Sequence, residues 1–289
     1  MTPTLHEAFS ARIAAGEPLK REDIEQLAAT HDILAVGMLA DQARRLVHGT
    51  RVTFVRVASC PFDRPLTEVP PAASEVRLTG TPESLDAALK AVQTVKAIAT
   101  DRVISGFSLA DLVPLAERDG LTLRAALEGL RGAGLERVAE CPLDRVTTEA
   151  VEAVVAAGFE RVRLTISRAD PDAGVTWLLK AADLGECFAA VDTINPLPMV
   201  LDTLRRTTGY EDVKMVALSR LAAPAIRHVQ VDWQRYGPKL AQVALMFGAD
   251  DLDHVPPSDD APDGRRRAVL EEIRRNIEAA GFTATERRP

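Results

Sequence analysis

Eight short runs of strand-forming residues, separated by helical stretches, restrict the fold of this 289-residue chain more than any other feature. They are RVTFVRVAS (51–59), EVRLTG (75–80), RVISGF (102–107), ERVAE (136–140), ERVRLTI (160–166), CFAAVDTI (187–194), RHVQVDW (227–233) and a short one near GADD (248–251). Strands that alternate with helices return in the same direction and pair in parallel, and eight such units close into a barrel. The predicted fold class is therefore α/β, a TIM-barrel-like (β/α) barrel that is complete or nearly complete.

The intervening segments carry helical periodicity. LDAALKAVQTVKAIA places Leu85, Ala88, Leu89, Val92, Val95 and Ala99 on one face, and a second stretch does so with Leu123, Ala126, Leu127 and Leu130. Residues 5–47 read as helix with breaks near Gly16–Pro18 and Thr30–His31. Their last part puts Val36, Leu39, Ala40, Ala43, Leu46 and Val47 on one stripe, and His48-Gly49 ends it. The expected organisation is one domain over 1–289: a helical extension (1–50), the barrel (51–255) and a C-terminal helix (256–289) after a Pro/Asp-rich break.

A net charge of −7 and a pI near 5.4 argue against a general nucleic-acid or anionic-membrane binder, which needs clustered Lys and Arg. The dense basic run Arg265, Arg266, Arg267 reads as a solvated helix start. The absence of a long apolar stretch or signal-type N-terminus predicts a cytoplasmic protein. Three cysteines at 60, 141 and 187 suit a reducing compartment better than a disulfide framework.

Two strands predict a polar interior. Val162, Leu164 and Ile166 alternate with Arg163 and Thr165, and Val229, Val231 and Trp233 alternate with Gln230 and Asp232. With helices over the apolar face, Arg163, Thr165, Gln230 and Asp232 point into the barrel, where unpaired polar groups cost several kcal/mol. An Arg163–Asp232-type ion pair and a ligand-lined cavity are both open readings. Asp250, Asp251 and Asp253 could bind a cation or a hydroxyl-rich ligand, or cap the next turn.

Phosphate-loop, HExxH and GxSxG motifs are missing, as is a strand-linked GxGxxG. Histidines 6, 31, 48, 228 and 254 are scattered, so no metal site is expected.

The segment GPKLAQVALMFGADDLDHV (237–255), with RHVQVDWQRYG before it, resembles the barrel end of the radical S-adenosylmethionine (SAM) enzymes of futalosine-dependent menaquinone synthesis. Aminofutalosine synthases are the nearest resemblance, with cyclic dehypoxanthine futalosine synthases and the deazaflavin synthase large subunit related. RLTGTPESLDAALKAVQTVKA, EDVKMVALSRLAAPAIRHV and IRRNIEAAGFTATER fit in the same order. The resemblance implies a barrel of the radical SAM type. It also places Gln230, Asp232, Trp233, Gln234, Asp250, Asp251 and Asp253 near substrate.

Such enzymes carry CxxxCxxC after the first strand, where three thiolates hold a [4Fe-4S] cluster and SAM occupies the fourth iron. The corresponding segment VASCPFDRPLTEVPPAAS (57–74) has Cys60 alone, and LTGTP replaces the glycine-rich turn that approaches SAM. The expectation is that no cofactor is held: the cluster lacks its ligands, and the altered turn weakens binding of SAM without closing it off.

Three functions follow. One is an auxiliary protein without radical chemistry, which binds a small molecule in the barrel and associates with an intact radical SAM paralogue or with itself. Another is a cluster-free enzyme using Glu140, Asp232 or Asp251 in acid–base chemistry on a nucleoside-like or carboxylated molecule. The last is a scaffold with a filled barrel.

Overall fold

The structure is a computed structural model that describes residues 5–62, 64, 66–167, 174–198, 209–258 and 269–287. Three helices come first, α1 (Leu5–Ala14), α2 (Arg21–Ala29) and α3 (Ile33–His48). The strands that follow are β1 (Arg51–Pro61), β2 (Glu75–Thr79), β3 (Val103–Ser108), β4 (Arg137–Pro142), β5 (Val162–Ile166), β6 (Val191–Pro196), β7 (His228–Asp232) and β8 (Asp251–Val255). Between and after them lie α4 (Leu85–Ile98), α5 (Leu109–Arg118), α6 (Leu123–Gly132), α7 (Thr148–Ala156), α8 (Gly174–Cys187), α9 (Tyr210–Ala222), α10 (Trp233–Met246) and α11 (Val269–Ala279), before a last strand, β9 (Thr283–Glu286).

The first eight strands run parallel in chain order, and β1 pairs with both β8 and β2, so the sheet closes into a barrel. The eight-unit reading of the sequence is thus realised, with eleven helices among the described residues. β1 serves two neighbours along its length: Thr53–Arg56 face β8, and Val57–Pro61 face β2. β9 lies parallel to β1 over Arg51–Phe54, at the N-terminal end of the barrel.

Local chemistry starts the covering helices. The Ser84, Thr122 and Thr147 hydroxyls accept from the backbone N–H groups of Ala87, Ala125 and Ala150, which satisfies donors that the first turns leave open. The helices then bury aliphatic stripes on the barrel, as α6 does with Ala126, Leu127 and Leu130. Each fully buried leucine contributes about 1.5–3 kcal/mol from apolar area removed from water.

Several boundaries differ from the sequence reading. The run 187–194 yields a strand only from Val191, because Cys187 is the last residue of α8. GADD is the turn into β8, with Gly248 at φ +98°, and the strand proper starts at Asp251. The expected loop 57–74 begins inside β1, which runs to Pro61. The α3 stripe buries Val36, Leu39 and Ala40 but leaves Leu46 and Val47 exposed beside Leu34 and Met38. The Arg265–Arg267 run lies outside the described residues. Among the described residues, no helix is long and apolar enough to cross a membrane.

Leu127→Ala should lower unfolding free energy by about 2–5 kcal/mol, read from a denaturant midpoint, through lost transfer energy and an unfilled cavity. Leu34→Ala, at a side chain 68% exposed, should stay within about 0.5 kcal/mol.

Candidate functional site

The barrel interior is ionic. Asp253 on β8 takes both Nη atoms of Arg77 from β2 at 2.8 Å, and accepts from Arg163 on β5 as well. Arg77 turns its other edge to Glu75, with Nε at 3.0 Å, and Ser105 donates to that carboxylate at 2.6 Å. Asp251 is gripped by Arg287, which follows β9, at 2.8 and 2.9 Å, and also accepts from Thr53 and Gln230. Three buried carboxylates thus meet the guanidinium groups of Arg77, Arg163 and Arg287, with that of Arg137 3.6 Å from Glu75 as well. Such charges are tolerable there because each is paired and hydrogen-bonded.

Burial alone would raise the Glu75 carboxyl, but Arg77 together with Arg163 and Arg137 outweighs it and brings the value down from 4.5 to about 2. Asp253 follows the same pattern: burial pushes it up, and Arg163 with Arg77 holds it well below the usual carboxylate range. The polar strand faces therefore resolve into paired charge at this level. Arg163 pairs with Asp253 and not with Asp232, and it also donates to the Ala139 carbonyl and to Gln230.

The C-terminal strand ends are different. Asp232 ends β7 and caps α10, accepting from the N–H groups of Gln234 and Arg235 at 2.9 and 3.0 Å. Its second oxygen lies 3.2 Å from Nδ1 of His254. Glu140 on β4 holds Arg235 at 2.9 Å across the mouth. These four residues share a recess of about 250 Å³ with Phe107 and the β2–α4 turn at Gly80 and Thr81. Phe107 and His254 both have positive φ, 61° and 57°, a conformation uncommon for side-chain-bearing residues that concentrates at functional sites. At the same end of the strands, Thr165 and Asn195 are register partners whose Oγ1 and Oδ1 are buried without a hydrogen-bond partner.

The remaining residues singled out in the sequence separate. Asp251, Asp253 and Gln230 belong to the interior network, and Asp251 is sealed at the N-terminal end, away from the mouth. Trp233 is buried in the apolar core. Asp250 lies below the barrel, where it accepts from Arg220, from Nδ1 of His228 at 2.6 Å and from the N–H of Val229. His48 also approaches Asp250, so two histidines expected to be scattered meet one carboxylate. Arg220 already occupies that carboxylate and His48 Nε2 lies 2.9 Å from the Arg227 carbonyl, so the cluster is a packing lock between α3, α9 and the strands. Sequence reasoning did not single out Glu75, Arg77, Arg287 or Ser59. The alternation Glu75, Arg77, Thr79 along β2 was the available signal.

An eight-stranded parallel barrel with a polar recess at its C-terminal strand ends defines a (β/α)8 barrel protein. Residues 186–288 match the family model described as the CofH/MqnC C-terminal region. The 5-amino-6-(D-ribitylamino)uracil–L-tyrosine 4-hydroxyphenyl transferase of Archaeoglobus fulgidus is 28% identical over 70% of this chain and 68% of its own length. That of Methanoculleus marisnigri is 26% identical over 87% and 86%. Aminodeoxyfutalosine synthase of Streptomyces coelicolor is 37% identical over 28% of this chain and 22% of its own. Two solved structures share the fold. Methylornithine synthase has a TM-score of 0.69 at 14% identity, covering 98% of this chain and 97% of its own. The HydG maturase of Carboxydothermus hydrogenoformans has 0.68 at 13%, covering 97% and 79%. Together these matches support the radical SAM superfamily for this chain.

The expectation that no cofactor is held is corrected by these likenesses: the relatives and structural neighbours are radical SAM enzymes, which bind a [4Fe-4S] cluster and SAM. The cluster's ordinary ligand set is nevertheless not gathered. Cys60 lies within β1 and Cys141 on β4, both buried in the apolar core, and Cys187 ends α8 on the surface. Burial raises the Cys60 thiol and pushes Cys141 up to about 12, which favours thiols over ligating thiolates. The three cysteines do not fit a shared cluster, and no chemical step is routed through one.

Acid titration should expose the interior network. Glu75 is depressed on folding, so its stabilisation is present above its unfolded value near 4.5 and is lost as pH falls toward about 2. The shift corresponds to about 3 kcal/mol at neutral pH. Denaturant titrations from pH 7 to 2 should show the gap between wild type and Glu75→Gln beginning to narrow below about pH 4.5 and closing only near pH 2.

Proposed function

We propose that this chain is an auxiliary, ligand-binding barrel of the radical SAM superfamily. It works beside an enzyme of the 4-hydroxyphenyl transferase or aminodeoxyfutalosine synthase kind and takes a nucleoside-like molecule at its mouth. The radical step belongs to the companion enzyme. The observation that carries the reading is the contrast between the two ends of the barrel. The lower interior is closed by matched charges, while the upper end keeps a recess with Glu140, Asp232 and Arg235 and, on neighbouring strands, buried polar atoms of Thr165 and Asn195 that lack partners. A buried polar atom without a partner costs about 1–3 kcal/mol, a deficit that bound water or ligand removes.

The companion is supported by α3, whose Leu34, Met38, Leu46 and Val47 are each more than half exposed. A second reading, acid–base catalysis, is favoured for Glu140 and Asp232 by their place at the strand ends where barrel enzymes work. Asp251 has no part in it, being sealed at the opposite end.

Calorimetric titration with 5-amino-6-(D-ribitylamino)uracil and with aminodeoxyfutalosine tests the binding reading. Saturable binding of one of them, weakened roughly tenfold or more by Asn195→Ala at a cost of about 1.4 kcal/mol, is the expected result. Failure of both to bind at millimolar concentration would remove the proposal.

A further inference from the structure

We infer that Ser59, His254 and Asp232 form a nucleophilic relay at the barrel mouth that cleaves small neutral or cationic carboxylic esters by acyl transfer through Ser59. The inference shares its site with the binding reading and goes beyond it to chemistry.

The three residues come from adjacent staves of the barrel, Ser59 from β1, His254 from β8 and Asp232 from β7. Plain alternation would not bring them together, because Asp253 already points inward and His254 should then point out. The register supplies the missing turn. Phe54 pairs with Leu252 but Arg56 with Val255, so β8 carries one residue more than β1 over this stretch. A bulge of this kind re-aims a side chain, and His254 takes φ +57° within it. The imidazole consequently spans its two neighbours, with Nε2 at 2.8 Å from Ser59 Oγ and Nδ1 at 3.2 Å from Asp232 Oδ2.

The directions of these bonds suit the chemistry. Asp232 Oδ1 is occupied by the two N–H groups at the start of α10, which orients Oδ2 at the ring. An ionised carboxylate only accepts, so the neutral ring carries its proton on Nδ1 and leaves Nε2 free to accept from the Ser59 hydroxyl. Exposure is graded in the order the reaction needs. Ser59 is exposed, His254 is 17% exposed and Asp232 is 6% exposed. Ser59 Oγ can then attack an acyl carbon while its proton passes to Nε2. The alkoxide leaving group departs with that proton, and water attacks the acyl-serine by the same route, giving acid and alcohol with no redox change. Ser59 and His254 are the catalytic residues and Asp232 is a positioning residue.

The recess sets the substrate class. Asp111, Glu140 and Asp232 line it opposite Arg235, while its other guanidinium, Arg77, is taken up by Glu75 and Asp253. An excess of negative charge disfavours anionic esters.

The test is a biotinylated fluorophosphonate on the purified chain, read by intact mass and peptide mapping. One adduct per chain on Ser59 is expected, absent in Ser59→Ala and at least tenfold slower in His254→Asn, whose asparagine tolerates the positive φ. Hydrolysis of p-nitrophenyl acetate should exceed that of its hemisuccinate counterpart at least tenfold. Asp232→Asn should lower the rate roughly a hundredfold and displace its pH profile, which loss of a helix cap alone would not do. No adduct on the folded wild type, an adduct unchanged by Ser59→Ala, or a pH profile unmoved in Asp232→Asn overturns the relay. Ligand titration of Ser59→Ala separates the two readings, since binding should persist there whatever the labelling shows.

Discussion

The rest of this barrel depends on the pairing of Asp253 with Arg77 and Arg163. Three strands far apart in sequence, β2, β5 and β8, meet through one carboxylate at the axis. An aliphatic interior would fill the same space with less desolvation cost, and buried ion pairs are often no more stabilising than their apolar replacements. What charge adds is selectivity of arrangement. Glu75, Asp251 and Asp253 each require a particular guanidinium at a particular height, so a strand displaced by two residues would leave a buried charge unmatched.

That matching divides the molecule along its axis. Below, Arg287 and Thr53 close on Asp251, and the carboxylates there are held by fixed partners. Above, Asp232 has one oxygen committed to a helix start and the other to an imidazole, with Glu140 and Arg235 across the opening. The same residue types are used in both places. Geometry decides that one set is locked and the other is accessible.

Most of the architecture was legible in the sequence, because a period of two in the strands and of 3.6 in the helices follows directly from backbone geometry. Parity also separates Asp250 from Asp251 and Asp253 across the sheet, and the structure places them on opposite sides. The mouth was only half legible. Asp232 and Glu140 follow from strand ends, but His254 depends on a bulge that no local pattern announces, and its partner Ser59 sits three residues past the matching point on β1. Ser59 and Cys60 show how fine the distinction is, since adjacent strand residues face opposite sides. That alternation turns the hydroxyl to the opening and the thiol to the helices. β9 escaped notice because four residues reading TATE carry almost no apolar signal.

Arg287 reaches Asp251 from a segment that begins more than thirty positions after it, once β9 has paired with β1. Emergence from the ribosome therefore presents all eight barrel strands before the cation that balances the lowest carboxylate. A nascent barrel must wait with Asp251 hydrated and its base incompletely dried. Final consolidation is accordingly a late, long-range event, coupled to docking of the closing strand, in a topology otherwise assembled from neighbouring βα units.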